Sequence, residues 1–91
     1  MKIELNNNNK DKEVGAFFDE CLDLLKRENF EVFKFTNFGF QIFLHNIGFI
    51  NIDKIKLIQF KYDEVLKMYE LSIAGDGFHL IKYFKKLDGE N

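Results

Sequence analysis

The sequence predicts a small α+β domain, in which an antiparallel β-meander of about five strands carries an N-terminal and a C-terminal helix packed on one face. Three observations lead to this fold class. The chain has 91 residues, the size of one small domain. Its first third repeats apolar residues with a helical period, and its middle repeats them with a period of two. Residues 10–88 form the domain in this interpretation, residues 1–9 a flexible segment or a short edge strand, and residues 89–91 a tail.

The first helix is indicated by one continuous apolar stripe. Its members fall three, four, seven, eight and eleven positions after the first, at Val14, Phe17, Phe18, Cys21, Leu22 and Leu25. Charged residues occupy the opposite face, which is typical of a helix that packs one side against a core. The asparagine run at 6–9 can supply an N-cap. Asn29 suits the left-handed residue that often ends a helix.

After this helix the apolar period changes to two, which predicts short strands over 30–36, 38–45 and 49–52. The stretch TNFGFQIFLH, residues 36–45, belongs to the second of these strands. Alternation places one set of its side chains in the core: Phe38, Phe40, Ile42 and Leu44. Gln41 and Phe43 then lie on the opposite face.

The same stretch suggests a nucleic-acid alternative. Its aromatic-Gly-aromatic order, Phe38-Gly39-Phe40, also occurs in the signature of RNA-recognition motifs. Thr36 and Asn37, however, stand where that signature has a basic residue and a glycine. Burying the large apolar side chains is also more favourable than exposing them as a stacking surface, by about 1.5–3 kcal/mol for each. A core strand is therefore the preferred interpretation.

A longer hairpin is expected next, with strands over 55–62 and 67–74. In this hairpin one face would carry Ile58, Phe60, Tyr62, Tyr69, Leu71 and Ile73. The alternative is a helix over 63–71, capped by Asp63.

The last segment, 77–87, is predicted to be a second helix. Its apolar side would carry Leu80, Ile81, Phe84 and Leu87, and its basic side Lys82, Lys85 and Lys86. A strand over the same residues would place Lys82 on one face with Leu80 and Phe84, and would mix polar with apolar residues. The helix is preferred for that reason.

Composition excludes several classes of function. The net charge is −2, so no overall basic character supports binding to nucleic acid. A single cysteine, Cys21, forms no internal disulfide, and no apolar run is long enough for a membrane span. We expect a cytoplasmic protein with neither a metal nor another cofactor, since no Cys or His pair has ligand spacing.

Catalysis has one set of candidate residues. Histidine is the side-chain type that titrates closest to neutral pH. The chain has two, His45 and His79, and Asp76 lies near His79 in the sequence. A small hydrolase-type enzyme that uses these three residues is therefore an alternative function. It requires the three side chains to meet in one pocket.

The favoured function is binding to a protein partner without catalysis. Surplus apolar residues are expected on the face of the sheet opposite the helices, with the basic side of the second helix as a charged rim. The residues assigned to this partner-binding surface are Phe43, Leu57, Met68, Lys82, Lys85 and Lys86. Small size and residues of AT-rich codons are typical of phage or mobile-element proteins that inhibit or regulate host machinery, such as anti-defence proteins. A homodimer through this surface, and nucleic acid on the aromatic strand or the Lys82–Lys86 patch, are alternatives.

Overall fold

The computed structural model describes residues 1–5 and 9–87, and shows a small α+β domain built from two antiparallel sheets and a helix. Its elements are β1 (Lys2–Glu4), α1 (Lys10–Arg27), β2 (Phe35–Asn37), β3 (Gln41–Leu44), β4 (Gly48–Asn51), a 3₁₀ turn (Ile52–Lys54), β5 (Ile55–Asp63), β6 (Met68–Gly75) and β7 (Phe78–Phe84). One sheet has four strands in the order β1-β5-β6-β7, and the other has three in the order β2-β3-β4. The α+β class is confirmed, whereas the single five-stranded meander between two helices is wrong.

Helix α1 lies where the apolar stripe places it. Its buried side chains are Val14, Phe17, Phe18, Cys21 and Leu25. Asn9 occupies the N-cap position, and Asn29 adopts a positive φ of 63° just after the helix. The backbone N–H of Phe30 then donates to the carbonyl oxygen of Leu25 at 2.8 Å. The predicted end of this helix at Asn29 is therefore confirmed, and the helix begins directly after the asparagine run.

The hairpin of β5 and β6 is also confirmed, and the alternative helix over 63–71 is wrong. Ile58 pairs with Ile73, Phe60 with Leu71, and Tyr62 with Tyr69, so these side chains share one face as predicted. The turn explains why Asp63 caps no helix. Its Oδ1 accepts hydrogen bonds from the N–H groups of Val65 and Leu66, both at 2.9 Å, and Lys67 closes the turn with a φ of 57°.

The predicted second helix over 77–87 is wrong, because Phe78–Phe84 forms strand β7. The tight turn between β6 and β7, with Gly77 at a φ of 81°, returns the chain directly alongside β6. Pairing then places Leu80 and Phe84 inward, in register with buried residues of β6. Lys82 shares this face, which was the objection to a strand, and the structure accommodates it at the wall of an open groove.

The three-stranded sheet corrects the prediction for residues 38–45. Ile42 and Leu44 are buried, as predicted, but Phe38 and Phe40 are exposed. The physical reason is a turn over residues 38–41, in which the N–H of Phe38 donates to the carbonyl oxygen of Gln41 at 2.8 Å and Gly39 has a φ of 89°. The strand therefore begins only at Gln41, and the alternation cannot be extended back to Phe38.

Helix α1 and both sheets contribute to one cluster of buried apolar residues. Phe18 of α1 meets Phe33 and Phe35 edge-on, with ring centroids 5.4 and 5.1 Å away. On the larger sheet, Phe60 stacks on Tyr69 at 5.0 Å. Aromatic pairs of this kind add to the burial term that stabilises a small core.

Just after β7, residues 85–87 pair with residues 29–31, which precede the smaller sheet. Phe30 forms a bridge with Lys86, the N–H of Glu31 donates to the carbonyl oxygen of Lys85, and the N–H of Leu87 donates to that of Asn29. The pairing ends there, and the chain from Val32 onward leaves β7 for the smaller sheet. At the other end of the chain, Lys2–Glu4 forms the edge strand that was one of two alternatives for residues 1–9. The predicted tail, residues 89–91, lies outside the described residues.

Candidate functional site

The outer side of the three-stranded sheet carries three phenylalanines, which we call the aromatic face: Phe38, Phe43 and Phe49. Phe43 and Phe49 are direct partners on β3 and β4, with ring centroids 4.9 Å apart. The ring centroid of Phe38 lies 5.9 Å from that of Phe49. Phe49 is 63% exposed, Phe38 55%, and Phe40 in the adjoining turn 67%, while Phe43 is half-buried. The face therefore presents aromatic rings to the solvent.

Local hydrogen bonds hold the turn that carries Phe38. The Oδ1 of Asn37 accepts from the N–H of Gly39 at 2.8 Å, and its Nδ2 donates to the carbonyl oxygen of Asp11 at 3.3 Å. The second contact ties the turn to the beginning of α1. On the neighbouring strands, Gln41 Nε2 donates to Asn51 Oδ1 at 2.9 Å. Side-chain hydrogen bonds therefore hold the turn that carries Phe38 at both of its ends.

A cleft of about 390 Å³ adjoins the aromatic face and reaches across to β7. Its lining is mainly apolar: Ile47, Phe49, Ile50, Phe78, Leu80, Gln41, Asn51 and Lys54. Lys54 is the one charged side chain in this lining. The cleft extends the apolar surface of the aromatic face toward the larger sheet.

A second and larger concavity, about 720 Å³, lies where the chain departs from β7, and we call it the cationic groove. It is lined by Lys26, Asn29, Phe30, Glu31, Val32, Phe33, Lys34, His45, Asn46, Lys82, Phe84 and Leu87. These residues come from the end of α1, the segment before β2, the β3–β4 turn and β7. The groove is thus assembled from parts of the chain that are remote in sequence.

The residues predicted to bind a partner do not form one surface. Phe43 belongs to the aromatic face. Leu57 and Met68 are half-buried on the outer side of the four-stranded sheet, where their register places them six positions apart, or about 20 Å. Lys82 lines the cationic groove.

The other two predicted lysines, Lys85 and Lys86, are exposed just after β7. The ammonium group of Lys86 lies over the Phe30 ring, 5.6 Å from its centroid. They therefore lie on the segment that bounds the groove, away from the predicted apolar contact residues of the four-stranded sheet.

The candidate catalytic residues do not converge. His45 lines the cationic groove beside Phe84. His79 lies on the opposite face of β7 and about 17 Å earlier along that strand, where its Nε2 is 2.8 Å from Ser72 Oγ. Asp76 lies in the β6–β7 turn, 3.9 Å from the ammonium group of Lys56. Neither of the two concavities described above is lined by all three side chains.

Sequence reasoning missed Phe38, Phe40 and Phe49 as exposed residues. For the first two, the signal was the combination of Asn37 and Gly39, which is typical of a turn with an Asx hydrogen bond. For Phe49, the signal was its alternation with Ile50, which is buried on the same strand. Phe43 was assigned to the correct side of β3.

Two buried side chains, Cys21 and Tyr69, have raised pKa values. Burial raises the pKa of the Cys21 thiol to about 12, so the thiol is protonated and inert at neutral pH. Burial and a hydrogen bond to Glu28 raise the pKa of Tyr69 to about 12, and its hydroxyl donates to Glu28 Oε1 at 2.8 Å. Both residues therefore belong to the core and its margin.

Residues 1–5 and 9–87 contain no group of three His, Cys, Asp or Glu side chains placed to hold a metal ion. In that same part of the chain, no helix has the length and apolar character that crossing a membrane requires. No protein-family model, curated protein sequence or solved structure matches the chain.

Proposed function

We propose that this protein is a non-catalytic interaction domain that binds a protein partner through the aromatic face. The observation that carries the proposal is the exposure of Phe49, beside Phe38 and Phe43, on the three-stranded sheet. A phenylalanine has no polar atom to hydrate, so exposed rings in contact with one another favour association. Aromatic side chains are also enriched in the cores of protein–protein interfaces.

The size of the surface supports a compact contact. A phenylalanine that becomes fully buried covers about 150–250 Å². At their observed exposures, Phe38 and Phe49 together present about 240 Å² of surface, on that scale. A standard interface takes about 800 Å² from each partner, so these two rings supply roughly 30% of it. The adjoining cleft, which ends at Phe78 and Leu80, offers apolar surface for the remainder.

Charge favours a protein partner over nucleic acid. A single-strand binder combines stacking rings with a basic groove that follows the phosphates. The cleft beside the aromatic face has one lysine, Lys54. Lys85 and Lys86 lie after β7, and Lys26, Lys34 and Lys82 line the cationic groove.

Within this class, we expect an inhibitor or regulator of host machinery encoded by a phage or mobile element. A single contact surface on a small chain suits a protein that acts by covering a site on its target. The AT-rich codon bias of the composition agrees with such an origin.

Site-specific photo-crosslinking tests the proposal. A photoreactive phenylalanine analogue is placed at Phe49, and the matched control carries it at Val65, an apolar residue outside the aromatic face that is 89% exposed in the β5–β6 turn. We expect a discrete protein adduct in extract of the source cells from position 49 and none from position 65. Excess unlabelled protein should abolish the adduct, and excess Phe49→Ser protein should not.

Three outcomes would contradict the proposal. The same adducts from both positions would show that exposure alone directs the reaction. An adduct with added RNA or DNA would favour nucleic acid, and an adduct of twice the chain mass would identify a second copy as the occupant. The urea midpoint of Phe49→Ser is measured alongside, because loss of the adduct is informative only in a folded variant.

A further inference from the structure

The cationic groove combines an apolar floor with a basic wall. Its floor is formed by Phe30, Phe33 and Phe84, which are buried members of the core. Val32 and Leu87 stand at its margin and are each nearly half exposed. A volume of about 720 Å³ lies within the 300–1,000 Å³ that is typical of small-molecule sites. The floor therefore offers an apolar body a place to bind.

The charge of the groove is opposite to that of the chain. Three lysines, Lys26, Lys34 and Lys82, line it against one acidic residue, Glu31, although the whole chain has a net charge of −2. Glu31 is already engaged, since its Oε2 accepts a hydrogen bond from the backbone N–H of Lys85 at 2.9 Å. Among residues 1–5 and 9–87, none of these three lysines forms a salt bridge.

Lys82 is the most informative of the three. It lies on the inner face of β7 and pairs with Leu71, which is buried. An ammonium group on that face is costly unless it reaches water or a counter-charge. Here the side chain is half-buried at the groove wall, which leaves the charge directed at the concavity.

We propose that this groove binds an amphipathic organic anion, namely a carboxylate carried on a long apolar chain. The carboxylate would accept hydrogen bonds from Lys82 and Lys34, and the chain would lie against Val32 and Leu87, above the floor of Phe30, Phe33 and Phe84. A basic wall of three lysines beside an apolar floor matches a ligand with one negative head group and an apolar body. The groove and the aromatic face share no residue. Failure of the anion proposal would therefore leave the proposed protein partner untouched, and the reverse is also true.

Titration with dodecanoate, below its micelle concentration, tests the proposal by amide chemical shifts. We expect saturable shifts at the groove residues and a dissociation constant that rises about tenfold in Lys82→Gln, the loss of one charge-assisted contact. Lys12→Gln is the matched control, because Lys12 is exposed on α1 and lies outside the groove. Dodecyltrimethylammonium, with the same chain and the opposite charge, should bind at least tenfold more weakly.

Several results would overturn the proposal. They are equal affinity for the two detergents, unchanged affinity in both Lys82→Gln and Lys34→Gln, or shifts centred on Phe38 and Phe49. Lys34→Gln serves as a second variant because Lys34 is exposed, so its loss leaves the core intact. If Lys82 served only to keep the edge of β7 from pairing with another chain, Lys82→Gln would self-associate and bind dodecanoate like the wild type.

Discussion

The contrast between Phe40 and Phe60 is the most direct test of which aromatic side chains hold the fold together. Phe60 is buried on the inner face of β5 and stacks on Tyr69. Phe40 lies in the turn before β3 and is 67% exposed. Both are replaced by alanine, so that the same atoms are removed from two environments. We expect a large loss of unfolding free energy in Phe60→Ala and a small one in Phe40→Ala.

The magnitudes follow from burial. Removing a buried phenylalanine typically costs about 3–5 kcal/mol, which includes the cavity that it leaves. Full burial of such a side chain contributes about 1.5–3 kcal/mol, so the third of Phe40 that is buried contributes about 0.5–1 kcal/mol. A small domain has a total stability of only about 5–15 kcal/mol. Phe60→Ala is therefore expected to remove a large share of the unfolding free energy.

Urea unfolding followed by far-UV circular dichroism measures both effects. With a slope of about 1 kcal/mol per molar urea, the midpoint should fall by about 3 M or more in Phe60→Ala and by less than about 1 M in Phe40→Ala. Equal decreases would refute the reasoning, because they would mean that Phe40 is packed inside the strand, as the alternation of TNFGFQIFLH predicts. A near-neutral Phe40→Ala would show that folding does not require this exposed ring.

Three further outcomes are expected. A Cβ at Gly75 would overlap the backbone carbonyl oxygen of Lys54, so Gly75→Ala should lower the unfolding free energy by about 3 kcal/mol, and a tolerated Gly75→Ala would contradict this contact. The control is Gly15→Ala in α1, where the atom nearest to the new Cβ, Asn37 Nδ2, is 4.0 Å away, and it should raise the urea midpoint slightly. Asp63→Ala removes two hydrogen bonds to backbone N–H groups of the β5–β6 turn and should cost about 1 kcal/mol in the same assay, and no change would show that the turn holds without them. Because the pKa of Cys21 is raised from 9.0 to about 12, its native reaction with a thiol reagent at pH 8 should be about a thousandfold slower than in urea, and a rate equal to that of the unfolded chain would refute its burial.

The sequence predicts the parts of this fold that depend on neighbours within one element. The stripe from Val14 to Leu25 requires only a helical period, and the face shared by Ile58 and Phe60 requires only alternation. Asn29 was recognisable as a left-handed residue from its type and its position after the stripe. In each case the local preference and the tertiary packing agree.

The errors concern segments whose conformation depends on contacts with distant parts of the chain. Residues 78–84 have mixed faces as a strand, and only an open groove beside Lys82 makes that mixture acceptable. Phe38 and Phe40 fit the alternation of β3, but the turn at Gly39 ends the strand before it reaches them. The groove itself joins the end of α1 to the β3–β4 turn and β7, and no spacing in the sequence records that juxtaposition.

The position of β1 has a consequence for how the protein is made. Its residues pair with partners in β5 that lie 53 to 57 positions further along the chain, and most of the buried core that includes the α1 stripe comes from residues that follow the helix. During synthesis, the stripe of α1 therefore emerges before most of that core. The last strands are joined by short turns, which close at small entropic cost. The domain is thus expected to assemble as its final third leaves the ribosome, and until then α1 is open to any chaperone that binds apolar segments.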